Sequence, residues 1–418
     1  MKTSFPKDFL WGAASAAHQV EGGNDKNQWW AFEQITGTIK NGDRSGSACD
    51  HYRRYAEDFR LLKKLGHNAH RISLEWSRFF PDKPTTLSRD AVTHYHRVID
   101  ALIKLKLEPF VTTFHFTLPM WFAERGGFER RENLKYYKDF VSLIAREYKG
   151  KIRFWNTINE PTVYTLQSYF TSEFPPARVS LPKAIGVLRN LIHAHASCYH
   201  ILKDEDPSCK AGLVHHCMYM EPRNRYNPLD RIAAAFADWM LNRSFIDAIR
   251  TGTIRPPVGL EHDESIKDTS DFIGLNYYTR KYVRITDIAG TYTKTGKERV
   301  TQMGWTEYPE GLYHFINMLR HKLDVPIYIT ENGIATDDET WRADFIRRHI
   351  AETARARNDG ADVRGYFYWS NLDNFEWAHG FGPHFGIIGV DRETGKRVVK
   401  KSARAYADII KRNRCGYR

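Results

Sequence analysis

No apolar run in this 418-residue chain approaches the roughly 18–20 residues a membrane-spanning helix needs, so no membrane partner is expected. Cysteine is scarce. The five thiols, Cys49, Cys198, Cys209, Cys217 and Cys415, are odd in number, widely spaced and form no C-x-x-C. That argues against a disulfide framework or a zinc site and for reduced thiols in a cytoplasmic protein. No His-Glu-x-x-His occurs. The histidine pairs His94/His96 and His193/His195 fall at i,i+2, which does not share a helix face, and His215/His216 are adjacent. No metal or other cofactor is expected. No glycine-rich phosphate loop follows the first apolar run, which reads Phe9-Leu10-Trp11-Gly12-Ala13-Ala14, so a doubly wound dinucleotide fold is disfavoured. No Pro/Gly/Ser linker, low-complexity tract or solenoid repeat divides the chain, and residues 1–418 read as one domain. The apolar stretch 9–17, following Lys2 and Lys7, superficially resembles a signal peptide. Pro6 and Asp8 interrupt it, and it reads better as a buried strand.

What the chain has in plenty is positive charge, at a net +12 and a pI near 9.3. Such a balance raises the question of nucleic acid. The basic residues are spread along the chain without any nucleic-acid motif, and the Lys/Arg-rich residues 396–418 read as a solvated helix face. No nucleic-acid partner is expected.

Eight short segments read as strands, at residues 9–15, 68–74, 108–115, 153–160, 210–219, 271–278, 326–331 and 363–370. Most are near-continuous apolar, β-branched or aromatic runs, the pattern of strands covered on both faces. Helical periodicity fills the gaps. Leu134, Tyr137, Val141, Ile144 and Tyr148 recur at steps of three and four, as do Ile232, Phe236, Trp239, Ile246 and Ile249 approximately. Eightfold strand–helix alternation predicts an α/β protein whose parallel sheet closes into a (β/α)8 TIM barrel.

Chemistry in such barrels sits where strands end. Here the ends carry Arg71 and Glu75, His115, Asn159-Glu160, Asn276-Tyr277-Tyr278, Glu331-Asn332, and Trp369 with Glu376-Trp377 beyond. Turn chemistry alone favours Gly, Asn, Asp and Ser. Glu160 and Glu331 are lone carboxylates at the mouths of strands four and seven, roughly opposite in the barrel. Paired carboxyls are what glycosidic cleavage requires. A salt-bridged strand end accounts for either one by spacing alone.

The local sequences then match a family. The chain resembles glycoside hydrolase family 1, the β-glucosidase and β-galactosidase family, along essentially its whole length. The matching stretches are residues 9–22, 55–58, 68–71, 75–78, 108–111, Asn159-Glu160-Pro161, 276–278, 308–311, Ile329-Thr330-Glu331-Asn332-Gly333 and 372–377. The resemblance implies a cofactor-free retaining β-glycosidase acting on a small β-glycoside or short oligosaccharide. Carried over by position, Glu331 is the nucleophile and Glu160 the acid/base. Arg71 and Tyr278 hydrogen-bond the nucleophile, and Asn276 plays a supporting part. Gln19, His115, Asn159, Glu376 and Trp377 bind the sugar, Trp369 stacks on it, and Phe385 walls its exocyclic carbon. Trp305 is placed on the leaving-group side. For this division Glu331 must be ionised and Glu160 must hold a proton, its pKa raised by the nucleophile's charge.

The chain departs from the family in several places. Phe116 replaces a usual Trp, His18 replaces a usual Tyr beside Gln19, and residues 161–167 lack a usual aromatic. Little lies between Thr253 and Asp271, and such trimming predicts a more open mouth. The 6-phospho branch is disfavoured because Glu376 would repel a phosphate. The thioglucosidase branch is disfavoured because Glu160 is present. A sugar-binding protein without turnover is the rival from another class. Glycon preference and oligomeric state are not written in the sequence.

Overall fold

A computed structural model describes residues 5–415. Lys2, the last residues of the basic tail and the side chain of Cys415 lie outside the described residues. Eight parallel strands of a nine-stranded sheet form the barrel: β1 Leu10–Ala14, β2 Ala69–Ser73, β3 Glu108–Thr112, β4 Phe154–Asn159, β5 Lys210–Pro222, β6 Phe272–Arg284, β7 Ile327–Asn332 and β8 Val363–Trp369. Neighbours pair in parallel from β1 through β6. The sheet closes because β7 pairs with both β6 and β8, and β8 with β1. The predicted (β/α)8 barrel is therefore present as a single unit.

A helix returns the chain after each strand: α1 His51–Lys64, α2 Arg89–Lys104, α3 Leu134–Glu147, α4 Leu181–Glu205, α5 Pro228–Asp238 continued by α6 Ser244–Thr251, α7 Pro309–Lys322, α8 Glu339–Asn358 and α9 Lys401–Cys415. The chain turns where the sequence supplies the caps. Ser88 accepts from the Ala91 amide to start α2, and Asp338 accepts from Thr340 and Trp341 to start α8. α3 buries Leu134, Tyr137, Val141 and Ile144, the face its periodicity marks. α9 buries Ala403, Tyr406 and Ile410 and leaves Lys401, Arg404, Lys411 and Arg412 exposed, so the described part of the basic tail is a solvated helix face.

Inside the barrel an aromatic plug fills the space below the strand ends. The Phe110 ring lies 4.4 Å from Phe154, 4.8 Å from Phe367, 5.1 Å from Tyr328 and 5.8 Å from Phe272. Gly12 makes room for it, since a Cβ there would stand 2.5 Å from the Phe367 ring.

Two departures from the sequence reading concern the rim. β5 and β6 run on past residues 219 and 278 to Pro222 and Arg284, rising above the barrel, and Asp287–Thr291 folds back antiparallel on β6. α5 rests on this extension with Ala233, Ala234 and Ala237 against Val283 and Met220. Its larger apolar side chains therefore face outward, with Ile232 63% and Phe236 47% exposed. The periodicity marks these as a core face. Close approach of helix to sheet selects the alanine face instead.

Candidate active site

The strand ends converge on one buried bowl. Arg71, in the middle of β2, is fully buried. One arm of its guanidinium contacts Glu331 on β7, and the other donates to Asn159 Oδ1 at the end of β4 (2.6 Å). Its Nε leans on Thr112 of β3 (3.3 Å). Tyr278 of β6 donates its hydroxyl to the second Glu331 oxygen at 2.6 Å. Asn276, in register with Glu331, donates to Glu160 Oε1 at 2.7 Å, while its carbonyl accepts from Thr330 (2.7 Å). Two carboxyls from strands four and seven are thus tied into one network through Arg71, Asn159 and Asn276.

The backbone is forced where the site needs it. Glu160 sits at φ +47° between β4 and the following helix, its amide held by Val214 O at 2.9 Å. Phe116 and Trp377, both lining the bowl, also have positive φ, at +70° and +50°. Non-glycine residues in this region are strained, and such strain gathers at functional sites.

Around the carboxyls lie the other predicted residues. Gln19 donates to Asn374 Oδ1, Phe375 O and Glu376 Oε2 (2.9–3.2 Å), while its own buried Oε1 has no hydrogen-bond partner among the described residues. His115 Nε2 meets Asn159 Nδ2 at 3.2 Å, and its buried Nδ1 likewise lacks a partner. Buried polar atoms are normally satisfied, so orphans aimed into one bowl mark places for a ligand's hydroxyls. The His115 ring lies near-parallel to Trp369 and Trp377, with centroids 6.0 and 6.1 Å away. Trp305 is half-buried against Tyr278 (5.5 Å) and Phe385 (6.2 Å), which puts it at the same wall. His18 lies parallel to Trp377 at 6.0 Å, and Phe116 meets Trp377 edge-on at 5.4 Å. His18 and Phe116, two of the departures from the family pattern, therefore both pack on Trp377. The bowl is deep despite the trimmed loops: Glu160 is 6% and Glu331 4% exposed.

Three carboxyls share this space, and burial shapes their titration. Glu331 is lifted to about 7 by burial, against the pull of Arg71, with Glu160's charge pushing the same way. Glu376 is lifted to about 8 by burial and by Glu331's charge. Burial also lifts Glu160, but His216, Asn276 and Arg71 outweigh it and leave that carboxyl lowered. The sequence leads to the opposite ordering for the pair. The cause is His216 on β5, whose Nδ1 stands 3.4 Å from Glu160 Oε1. Sequence reasoning missed it by weighing His215 and His216 only as metal ligands. Strand parity was the available signal: His215 meets Asn242 O at 3.2 Å, so His216 faces the opposite side of the strand. Thr112 and Asn374, which orient Arg71 and Gln19, were also missed.

Away from the bowl, His193, Glu261 and Asp263 form a cluster with metal-capable atoms within 4.8 Å of one another. Arg131 reaches the His193 ring at 3.4 Å and Glu261 at 3.2 Å, giving an ion-pair network.

A closed barrel carrying an acidic, aromatic bowl at the carboxyl ends of its strands defines a glycoside hydrolase of the α/β-barrel class. Comparison with known proteins places it more closely. Residues 1–415 match the model of Glycosyl hydrolase family 1, and the chain belongs to that family. It is 32% identical to a 1,4-beta-D-glucan glucohydrolase of Thermotoga neapolitana and to Beta-glucosidase A of Thermotoga maritima, each over 98% of both chains. Among solved structures, a beta-glycosidase from Pyrococcus horikoshii is 41% identical with a TM-score of 0.89, covering 98% of this chain and 95% of that one. The Thermotoga maritima beta-glucosidase in complex with glucoimidazole is 31% identical with a TM-score of 0.93, covering 98% and 99%. The protein is a β-glycosidase of this family.

Proposed function

We propose that the protein hydrolyses terminal β-D-glycosyl residues, β-glucosides among them, by double displacement, with Glu331 as nucleophile and Glu160 as acid/base. The observation that carries this reading is the asymmetry of donors. Arg71 and Tyr278 both address Glu331, favouring its charged form, whereas Glu160 receives Asn276 and faces His216. Attack by Glu331 on the anomeric carbon forms a glycosyl-enzyme while Glu160 protonates the leaving oxygen. Water, deprotonated by Glu160, then releases the sugar with its β configuration restored. Gln19 Oε1 accepts from a sugar hydroxyl, and the His115 Nδ1–H donates to one because Nε2 already accepts from Asn159. Glu376 and Asn159 add further polar contacts, and Trp369, Trp377 and Phe385 supply apolar wall. The beta-glucosidase solved with glucoimidazole supports a glucose-like glycon. Among the described residues no helix is long and apolar enough to cross a membrane, and Cys49, Cys198, Cys209 and Cys217 are free and buried. Buried thiols suit a reducing compartment, and the cytoplasm is the assignment we favour.

A panel of aryl β-glycosides, with kcat/KM for each and NMR of the first-formed anomer, tests this. The expected result is turnover of the β-glucoside with the β-anomer appearing first. Glu331→Gln should lower kcat by more than about a thousandfold. An inverted first product, or a Glu331→Gln enzyme that still turns over, would exclude the double displacement through Glu331.

A further inference from the structure

Among the described residues, His216 is the titratable side chain in contact with Glu160 that the roles above leave unused. Its ring is about nine-tenths buried, with Nδ1 at an ion-pair distance of 3.4 Å from Glu160 Oε1 but outside hydrogen-bond geometry, and Nε2 buried without a hydrogen-bond partner among the described residues. Tyr278 lies near-parallel to it, with centroids 6.0 Å apart. The groups facing it are Glu160 from the end of β4, Asn276 and Tyr278 from β6 and His215 from its own strand, with Arg71 of β2, Glu331 of β7 and Glu376 beyond β8 in the same network.

We propose that His216 is a positioning residue that holds the acid proton beside Glu160, the two side chains sharing one proton between an imidazole nitrogen and a carboxyl oxygen. This deepens, and rests on, the assignment of Glu160 as acid/base. The charge balance of the bowl calls for such a partner. Arg71 contributes one fixed positive charge and neutralises one carboxylate, which the chemistry requires to be Glu331. Glu376, lifted by burial, keeps its proton at neutrality. An ionised Glu160 would then be a second uncompensated anion, and the imidazole cation supplies the compensation. A carboxylate beside a cationic imidazole and a protonated carboxyl beside a neutral imidazole hold the same number of protons. The acid-competent form is therefore reached by moving one proton over one contact. In glycosylation the C1–O bond breaks as Glu331 bonds to C1. The Glu160 proton goes to the leaving oxygen, leaving Glu160 ionised and His216 neutral. In deglycosylation the attacking water gives its proton to Glu160, and the pair is restored. Contacts of this kind are often long before substrate binds, which fits the 3.4 Å separation.

A pair binds its proton more tightly than either member alone. In His216→Asn the alkaline limb of the kcat/KM–pH profile should therefore move to lower pH. Near the top of the wild-type range an unactivated alkyl β-glucoside should lose about tenfold in kcat/KM, while a dinitrophenyl β-glucoside, which needs no acid, changes little. An alkaline limb that stays put or moves upward overturns the proposal, as does equal loss on both substrates. Should His216→Asn not fold, the reciprocal experiment uses Glu160→Gln with ¹⁵N-labelled histidine. The His216 ring should then lose its proton at lower pH than in the wild type, and an unchanged titration overturns the proposal. The acid/base reading fails separately, if Glu160→Gln retains full activity on the alkyl glucoside.

Discussion

Two donors of different chemistry meet on the Glu331 carboxylate, and they contribute differently. The Arg71 guanidinium supplies charge, while the Tyr278 hydroxyl supplies a single directed hydrogen bond of 2.6 Å. Both favour the ionised form against burial, which lifts Glu331 to about 7. In the proposed double displacement Glu331 has to be ionised to attack, so kcat/KM should fall as pH drops through about 7. Tyr278→Phe removes one of the opposing donors and leaves burial unchanged. Its acid limb should move to higher pH, and at about pH 6 its kcat/KM should be lower than wild type by about an order of magnitude, the worth of one hydrogen bond to a charged group. A profile whose acid limb does not move would show that Tyr278 does not tune the nucleophile. At this scale the sequence was legible where a motif ends a strand, as at Glu160 and Glu331. It was not legible for His216, because its role depends on which side of β5 it faces and on a contact to another strand.

The strands are where the sequence spoke most clearly. Runs such as Phe154-Trp155-Asn156-Thr157-Ile158 are buried on both faces, and only a sheet covered by helices accommodates them. The rim was less legible. The antiparallel return at Asp287–Thr291 and the alanine face of α5 are set by how closely a helix approaches the extended β5 and β6, and periodicity ranks side chains by hydrophobicity rather than by size. The plug beneath the site is the element whose removal should be felt most. Phe110 touches rings from β4, β6, β7 and β8 at once, so truncation leaves a cavity bounded by elements that cannot collapse independently. Phe110→Ala should cost about 3–5 kcal/mol, and Phe110→Leu distinctly less, in denaturant unfolding. Equal losses for the two would mean that the barrel relaxes around the gap.

Closure of the whole molecule depends on bringing the two ends of the chain together. β8 pairs with β1, and Tyr406 of α9 donates to carbonyls on both, Gly12 O and Tyr366 O, each at 3.0 Å. Beside this seam Arg397 binds Asp58 of α1 through Nε (2.8 Å) and a second nitrogen (3.0 Å) and reaches Cys49 O at 2.6 Å, while His51 meets the same Asp58 at 2.7 Å. Asp58 is fully buried. Burial lifts its carboxyl, and the hydrogen bonds and charges of His51 and Arg397 outweigh that and leave it lowered. A carboxyl lowered on folding adds stability above its unfolded value, near about 3.9, and that stability is lost as pH falls through the folded value. Asp58→Asn leaves the guanidinium buried without its counter-charge, a change that typically costs about 3–5 kcal/mol. The wild-type protein should therefore unfold at a temperature several degrees above the variant at about pH 7. The gap should persist to about pH 4 and narrow below it. A gap already closed at about pH 5.5, where the Asp58 carboxyl is still ionised, would mean that its charge does not fasten Arg397 at the seam.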